Sequence, residues 1–445
     1  MRQHKVLYWS VTVALAGFLF GFDTIVISGA DQALQALWPK GELYHGFVIM
    51  ASALWGTVIG AMFGNFPTER IGRKRTLFWI GILYFVSAVG SALAEDPNVF
   101  ALFRFIGGLG VGASTIAAPA FISEIAPARD RGRLVMFYQS SLVTGILVAF
   151  LSNYLLSAAI EHEAWRWMLG VEGIPALAYT LLVTNVPESP RWLLVRRNDR
   201  AAAARILSQV DASADVEAEM DRILADRPAG PRRETIFAPA YRFPLVLAFL
   251  VAFFNQFSGI NAFLYYAPRI FQEAGLAESA ALLSSAGIGI TNLVFTLTGL
   301  LLIDRVGRRQ LMYVGSVGYI VSLALVAMAF RYSWQGMAVP LFLFIFIASH
   351  AIGQGSIIWV FISEIFPNHL RADGQAFGSS VHWVLAAIIP ASIPYLFKMV
   401  GPAPVFAFFS LMMVLQLLFT WRMMPETKGR SLEELEQLLV RDRRA

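Results

Sequence analysis

The sequence contains no cysteine. That removes disulfide staples, thiol nucleophiles and thiolate metal sites from consideration. Charge is the next shortage: Asp, Glu, Lys and Arg make up only 15% of the 445 residues, against about 25% in ordinary soluble domains. With 57% hydrophobic residues, the chain carries more apolar surface than a water-soluble core can hide. The pattern predicts an all-α polytopic membrane protein embedded in a lipid bilayer. Catalytic signatures are missing as well. No spacing suits a metal, no G-x-S-x-G elbow is present, and no acid–base pair converges at mid-membrane, so neither an enzyme nor a cofactor is expected. The glycines of R-F-I-G-G-L-G-V-G at 104–112 lack the preceding strand that a dinucleotide loop needs, and they read as places where helices approach closely.

What is present is repetition. F-I-S-E-I-A-P at 121–127 returns as F-I-S-E-I-F-P at 361–367, so Glu124 and Glu364 stand 240 residues apart. E-R-I-G-R-K at 69–74 is echoed by D-R-V-G-R-R at 304–309, and P-E-S-P-R at 187–191 by P-E-T-K-G at 425–429. Three landmarks with nearly one offset imply a duplicated unit. Twelve apolar runs are long enough to span a bilayer: 6–27, 43–66, 76–94, 98–121, 134–158, 167–186, 243–267, 279–303, 310–330, 337–363, 375–397 and 402–421. Six precede residue 187 and six follow 242. The expected organisation is a six-helix half over 1–186, a linker with short helices over 187–242, a second half over 243–424 and a tail over 425–445.

Lys and Arg set the orientation. With both termini in the cytoplasm, 29 of the 35 fall on the inside, and only Lys40, Arg269, Arg331 and Lys398 fall in outside loops. The net charge of +5 therefore reports membrane orientation, and no nucleic-acid partner is expected. The N-terminus resembles a secretory signal, but cleavage after Ala16 would discard half of the first span. In the tail, Ser431-Leu432-Glu433-Glu434 has the form of a capping box.

Ionisable groups inside spans are costly and point to function. Three stand out: Asp23 in span 1, Arg104 in span 4 and Glu172 in span 6. Fully ionised they sum to −1, and one bound proton makes the sum zero. That is the requirement of a proton-coupled carrier; a static ion pair that only fixes helix packing is the alternative. A second set is neutral: Gln139, then Asn255, Gln256, Asn261 and Tyr265 around Gly259, then Asn292, Trp359, His382 and Trp383. Amides both give and take hydrogen bonds, as a hydroxyl requires, and aromatic faces cover C–H faces of a sugar ring. The alternative is interhelical bonding. His350 reads as a bonded packing residue. His382 is expected to supply one hydrogen bond to the pocket, since a neutral imidazole keeps one donor and one acceptor. A third set gathers at the inside ends of the spans: Arg70, Arg73, Glu124, Arg131 and Glu188 in one half, Arg305, Arg308, Glu364, Arg371 and Glu426 in the other. Acids and bases duplicated together suggest a cytoplasmic gate, with solvated surface pairs as the alternative.

At these residues the chain resembles the sugar porter family of the major facilitator superfamily, and it is most similar to that family's bacterial xylose-type proton–sugar symporters. The matching segments include F-G-F-D-T-I-V-I-S-G at 20–29, N-Q-F-S-G-I-N-A-F-L-Y-Y-A-P at 255–268 and the repeated landmarks above. The resemblance implies the 6+6 pseudo-symmetric fold and monosaccharide import by proton symport through alternating access, in a bacterial inner membrane, by a monomer. It implies Asp23 as the proton site, modulated by Arg104 and Glu172, because passive facilitators have a neutral amide at that position. Gln139, Gln256, Asn261, Tyr265, Asn292 and Trp359 carry over as sugar ligands and Phe20 as an aromatic lining residue. Three positions depart from the family pattern. Asn255 replaces the first of two glutamines, Gly355-Ser356-Ile357-Ile358-Trp359 lacks the usual proline, and His382 replaces an amide. The other readings are a passive sugar or polyol (inositol) facilitator and a non-transporting sugar sensor, the latter disfavoured by the short tail.

Overall fold

A computed structural model of the chain describes residues 2–127, 130–210, 215–225, 235–334, 336–367 and 369–441. Among these, every regular element is helical. A bilayer offers the backbone no hydrogen-bond partners, so each apolar run must satisfy its own N–H and C=O groups. Among the described residues, ten helices are long and apolar enough to cross a membrane, and a bent pair, Glu42–Met50 and Ser52–Phe63, joins at 43° to give an eleventh span. The sixth expected span is built from two shorter pieces, Ala164–Gly170 and Gly173–Val183, with Val171 and Glu172 between them.

The spans used below are span 1 (Arg2–Leu37), span 2 (the bent pair), span 3 (Arg73–Leu93), span 4 (Pro97–Ile125), span 5 (Arg131–Ala159) and span 6 (the two pieces). The second set is span 7 (Arg242–Phe257 and Ile260–Glu273), span 8 (Glu278–Val306), span 9 (Arg308–Arg331), span 10 (Ala338–Ile352 and Gln354–Glu364), span 11 (Arg371–Val400) and span 12 (Pro402–Arg422).

Local chemistry sets several ends. Span 4 starts with Pro97 at its first position, where the missing N–H costs nothing, and Asp96 accepts from the N–H groups of Asn98 (2.8 Å) and Val99 (3.2 Å). Span 7 breaks at Gly259, whose φ of 83° lies in the left-handed region. Span 10 breaks at Gly353, although the proline usual nearby is absent. The tail forms the expected box: the Ser431 N–H donates to Glu434 (3.0 Å) and the Glu434 N–H to Ser431 Oγ (3.2 Å). The two linker helices are Arg200–Val210 and Val216–Ala225, packed through Leu194, Ala203 and Met220.

The chain divides into two compact units. The first comprises Met1–Val26, Ser52–Ala149 and His162–Pro231, and the second Ile27–Ala51, Phe150–Glu161 and Arg232–Ala445. In the first unit, buried Trp9, Val13, Leu77, Ile80, Tyr84 and Phe121 form the core. The glycines of span 4 serve close packing there: a Cβ on Gly108 would lie 1.9 Å from the Ala53 carbonyl oxygen of span 2. The second unit is centred on aromatic rings, with Phe263 stacked on Phe406 (centroids 5.2 Å apart) and edge-on to Phe346 (4.5 Å).

Candidate functional site

The first unit holds the buried charges. Arg104 reaches from span 4 to span 1, where Nη1 donates to Asp23 Oδ1 (2.6 Å) and Nη2 to the Asp23 main-chain oxygen (2.8 Å). Both residues are fully buried. The break in span 6 places the equally buried Glu172 in the electrostatic neighbourhood of the pair. The three intramembrane charges read from the sequence are therefore one cluster. Phe20, one turn before Asp23 and half-buried, accepts from Thr24 Oγ1 through its carbonyl oxygen (2.7 Å). Gln139 of span 5 is half-buried in the same unit.

The second unit holds the polar set. Gln256 Nε2 donates to Asn255 Oδ1 (2.9 Å), and Asn261 Nδ2 donates to Gln256 Oε1 (2.8 Å). The same Gln256 nitrogen lies 3.2 Å from His382 Nδ1 and 3.3 Å from Nε2. The His382 ring sits 5.0 Å from the Trp359 ring and 4.9 Å from the Trp383 ring, centroid to centroid. Gly259 is what lets Asn261 turn back on Gln256, because the break between the two pieces of span 7 falls between them. Spans 7, 10 and 11 thus bring six of the named residues into one amide–aromatic cluster. Tyr265 and Asn292 are buried in the same unit, with Thr296 Oγ1 donating to Asn292 Oδ1 (3.3 Å). His350 bonds to the Tyr319 hydroxyl (2.6 Å), as its packing role requires.

The charges repeated between the halves form two matching staples, each closed within its own unit. In the first, Arg73 meets Glu124 through Nε and Nη2 (3.0 Å each) and Glu69 through Nη2 (2.7 Å). Glu188 accepts the N–H groups of Arg73 (2.9 Å) and Lys74 (3.0 Å), an anion at a helix N-terminus. In the second, Arg308 meets Glu364 (2.8 Å), and Glu426 accepts the N–H groups of Arg308 and Arg309 (3.0 Å each). Arg70 and Arg305 are exposed, Arg70 lying over the Phe66 ring at 5.4 Å. Arg371 begins span 11, and the side chain of Arg131 lies outside the described residues. Burial pushes the Glu188 carboxyl above the usual carboxylate range, against the pull of its N–H donors and Arg73. At Glu69 burial acts in the same direction, but Arg73 and Arg196 outweigh it and hold that carboxyl lower.

Each staple requires a glycine. Gly72 has φ 102° and Gly307 φ 106°, both left-handed, and a Cβ would lie 2.2 Å from Glu188 Oε2 in the first case and 2.7 Å from Glu426 Oε2 in the second. Gly72→Ala is expected to lower stability by about 1–3 kcal/mol through strain and loss of the carboxylate cap. A thermal-unfolding midpoint in detergent equal to that of the parent protein would contradict this.

Sequence reading missed a further buried charge cluster. Asp31, near the end of span 1, accepts from Arg269 Nε (2.6 Å) through one carboxylate oxygen and bonds to His45 Nε2 (2.6 Å) through the other. Gln35 bonds to both Arg269 and Glu42 (2.5 Å to the latter), and Lys398 reaches Glu42 (3.2 Å). Arg269 had been counted in an outside loop. It instead lies in the helix Ile260–Glu273, paired. Gln354 and Gln416, both fully buried, were also missed. The available signal was a lone amide, in an apolar run for Gln416 and between two glycines for Gln354.

The family model described as "Sugar (and other) transporter" matches residues 9–439. The arabinose-proton symporter of Bacillus subtilis is 34% identical, over 99% of this chain and 97% of that protein. The D-xylose-proton symporter of Escherichia coli is 32% identical, over 96% of this chain and 94% of that protein. Among solved structures, the inward open conformation of the xylose transporter XylE from E. coli superposes with a TM-score of 0.86 at 30% identity, covering 98% of this chain and all of that one.

Proposed function

Because the chain belongs to the sugar transporter family, we propose that it imports a monosaccharide by proton symport through alternating access. The observation that carries the coupling is the Asp23–Arg104 pair with Glu172 beside it, all three fully buried. A buried acid beside a cation can exchange a proton when water access changes, and this couples sugar movement to the proton gradient. A passive facilitator has no need of such a carboxylate.

On this reading the amide–aromatic cluster of spans 7, 10 and 11 holds the sugar, together with Tyr265 and Asn292; the family resemblance adds Gln139 and Phe20 as candidate sugar residues. Residues 1–186 and 243–424 act as the two moving halves, joined by 187–242 and followed by the tail 425–445. Both termini face the cytoplasm across the inner membrane, as the Lys and Arg distribution favours. The gate residues on that side are Arg70, Arg73, Glu124, Arg131 and Glu188 with Arg305, Arg308, Glu364, Arg371 and Glu426. The protein works as a monomer.

The test is uptake into proteoliposomes across a panel of pentoses, hexoses and inositols, with and without an imposed proton gradient. Accumulation above equilibrium only when the gradient is present is expected. Equilibration that ignores the gradient would make the protein a facilitator. The pocket has its own test: Gln256→Ala and Asn261→Ala are each expected to weaken sugar binding by about 1–3 kcal/mol, because each strands a buried partner. Calorimetry on purified protein measures this, and unchanged affinity in both variants would move the site away from span 7.

A further inference from the structure

Behind the amide–aromatic cluster runs a chain of buried side chains whose hydrogen bonds all point one way. It starts on span 9, where Ser316 Oγ donates to the Met312 carbonyl oxygen (2.8 Å). A carbonyl only accepts, so this bond has a single direction. The Ser316 oxygen is then left to accept from Gln416 Nε2 of span 12 (2.9 Å). The Met312 sulfur, itself only an acceptor, lies 3.5 Å from the same nitrogen. With its NH2 group held there, Gln416 turns Oε1 toward Gln354 Nε2 of span 10 (3.0 Å). Gln354 in turn presents Oε1 to Asn255 Nδ2, the longest step at 3.5 Å. Asn255 presents Oδ1 to Gln256 Nε2 (2.9 Å), and Gln256 presents Oε1 to Asn261 Nδ2 (2.8 Å). An amide has one donor end and one acceptor end, so the orientation of each fixes that of the next.

We propose that Ser316, Gln416 and Gln354 are positioning residues that set the donor and acceptor pattern the pocket offers a sugar. Gln354, Gln416 and Ser316 are fully buried and act only through Asn255. Their effect is to fix the Asn261 amide, with one N–H given to Gln256 and the carbonyl oxygen turned the other way, where it can accept from a hydroxyl. The Gln256 nitrogen that donates to Asn255 also faces the His382 ring, 3.2 Å from Nδ1 and 3.3 Å from Nε2, so the orientation of this amide decides what the imidazole meets. An amide ladder free to flip would offer either pattern; this one is anchored by a main-chain carbonyl. The selectivity for hydroxyl arrangement is therefore built three spans away from the ligand. This inference rests on the sugar-binding reading of the cluster.

Gln416→Leu cuts the ladder between its anchor and Gln354 with an apolar side chain of similar size, and Ser316→Ala loosens the anchor itself. Two readouts apply to the full chain in detergent. The first needs no sugar: with 15N-labelled histidine, the His382 signals are identified by their absence in His382→Gln. One set of His382 nitrogen signals is expected in the parent protein, and a shifted or split set in Gln416→Leu, because the Gln256 amide that faces the ring is then free to flip. The second is affinity for D-xylose, L-arabinose and D-glucose against their monodeoxyfluoro analogues, in which fluorine cannot donate. In the parent protein the analogue fluorinated at the hydroxyl facing Asn261 is expected to bind about tenfold more weakly, and in Gln416→Leu that ratio collapses to about twofold or less. Ser316→Ala shifts both readouts the same way and carries the test if Gln416→Leu does not fold. His382 signals and analogue ratios that stay at parental values in the variants would overturn the proposal. A parent protein that binds none of the sugars would instead overturn the sugar reading, and the histidine signals would still decide the ladder.

Discussion

Asp23→Asn protein is expected to lose all uphill accumulation of sugar while still binding it and exchanging it across the membrane. Asparagine keeps the shape of the side chain and an oxygen for Arg104 Nη1, which now donates to Asp23 Oδ1 at 2.6 Å. The second bond, from Nη2 to the main-chain oxygen, does not involve the side chain at all. What is lost is the ability to take up and release a proton. Sugar translocation needs no net proton movement in exchange, so labelled sugar should still equilibrate between the two faces of a proteoliposome. The measurement is paired: counterflow without a gradient, and accumulation with one. Accumulation that persists in the variant would remove Asp23 from the coupling step and shift attention to Glu172.

Arg104→Met is expected to cost the most stability of any single change in the first unit. The guanidinium is fully buried, and its removal leaves Asp23 and Glu172 as two buried carboxylates with no cation beside them. Breaking a buried pair by deleting one partner typically costs about 3–5 kcal/mol, since the stranded charge cannot regain water. The expected result is a large drop in thermal midpoint and in recovered protein. The double variant Asp23→Asn, Arg104→Met should recover part of that loss, because it removes the stranded charge along with its partner. If the double variant is no more stable than Arg104→Met alone, the arginine matters for packing and not for charge.

Much of the fold was legible in the sequence because a bilayer imposes a simple rule, that an apolar run of sufficient length becomes a helix. The duplicated landmarks were equally legible, and the bonds explain why. Glu124, Glu188 and Arg73 meet in one staple, and Glu364, Glu426 and Arg308 in its copy, so each residue type is tied to a geometric task. The breaks were harder. Span 6 reads as one apolar run, yet it divides at Val171 and Glu172, because hydropathy averages over the very residue that interrupts it. Gly259 and Gly353 both stand beside polar residues, Ser258 in one case and Gln354 in the other, and only the structure shows that each divides its span. The Asp31 cluster escaped for another reason. Asp31 and Arg269 lie 238 positions apart near the ends of their spans, where a charge normally means water, and nothing local says that they find each other. Gln354 and Gln416 each look like a single tolerated amide; only the fold puts them in line.

The placement of the staples bears on covalent continuity. Each one draws on a residue that follows the sixth span of its own half, Glu188 or Glu426, and binds it back to the start of an earlier helix. An interruption of the polypeptide between Ala225 and Thr235 would leave every staple bond inside a single fragment. The bonds that would then join the two fragments include those of Asp31 and Gln35 to Arg269. Two separately translated pieces of this chain thus each carry the charges that finish their own ends, and a charge cluster on the opposite side is available to recognise the matching piece.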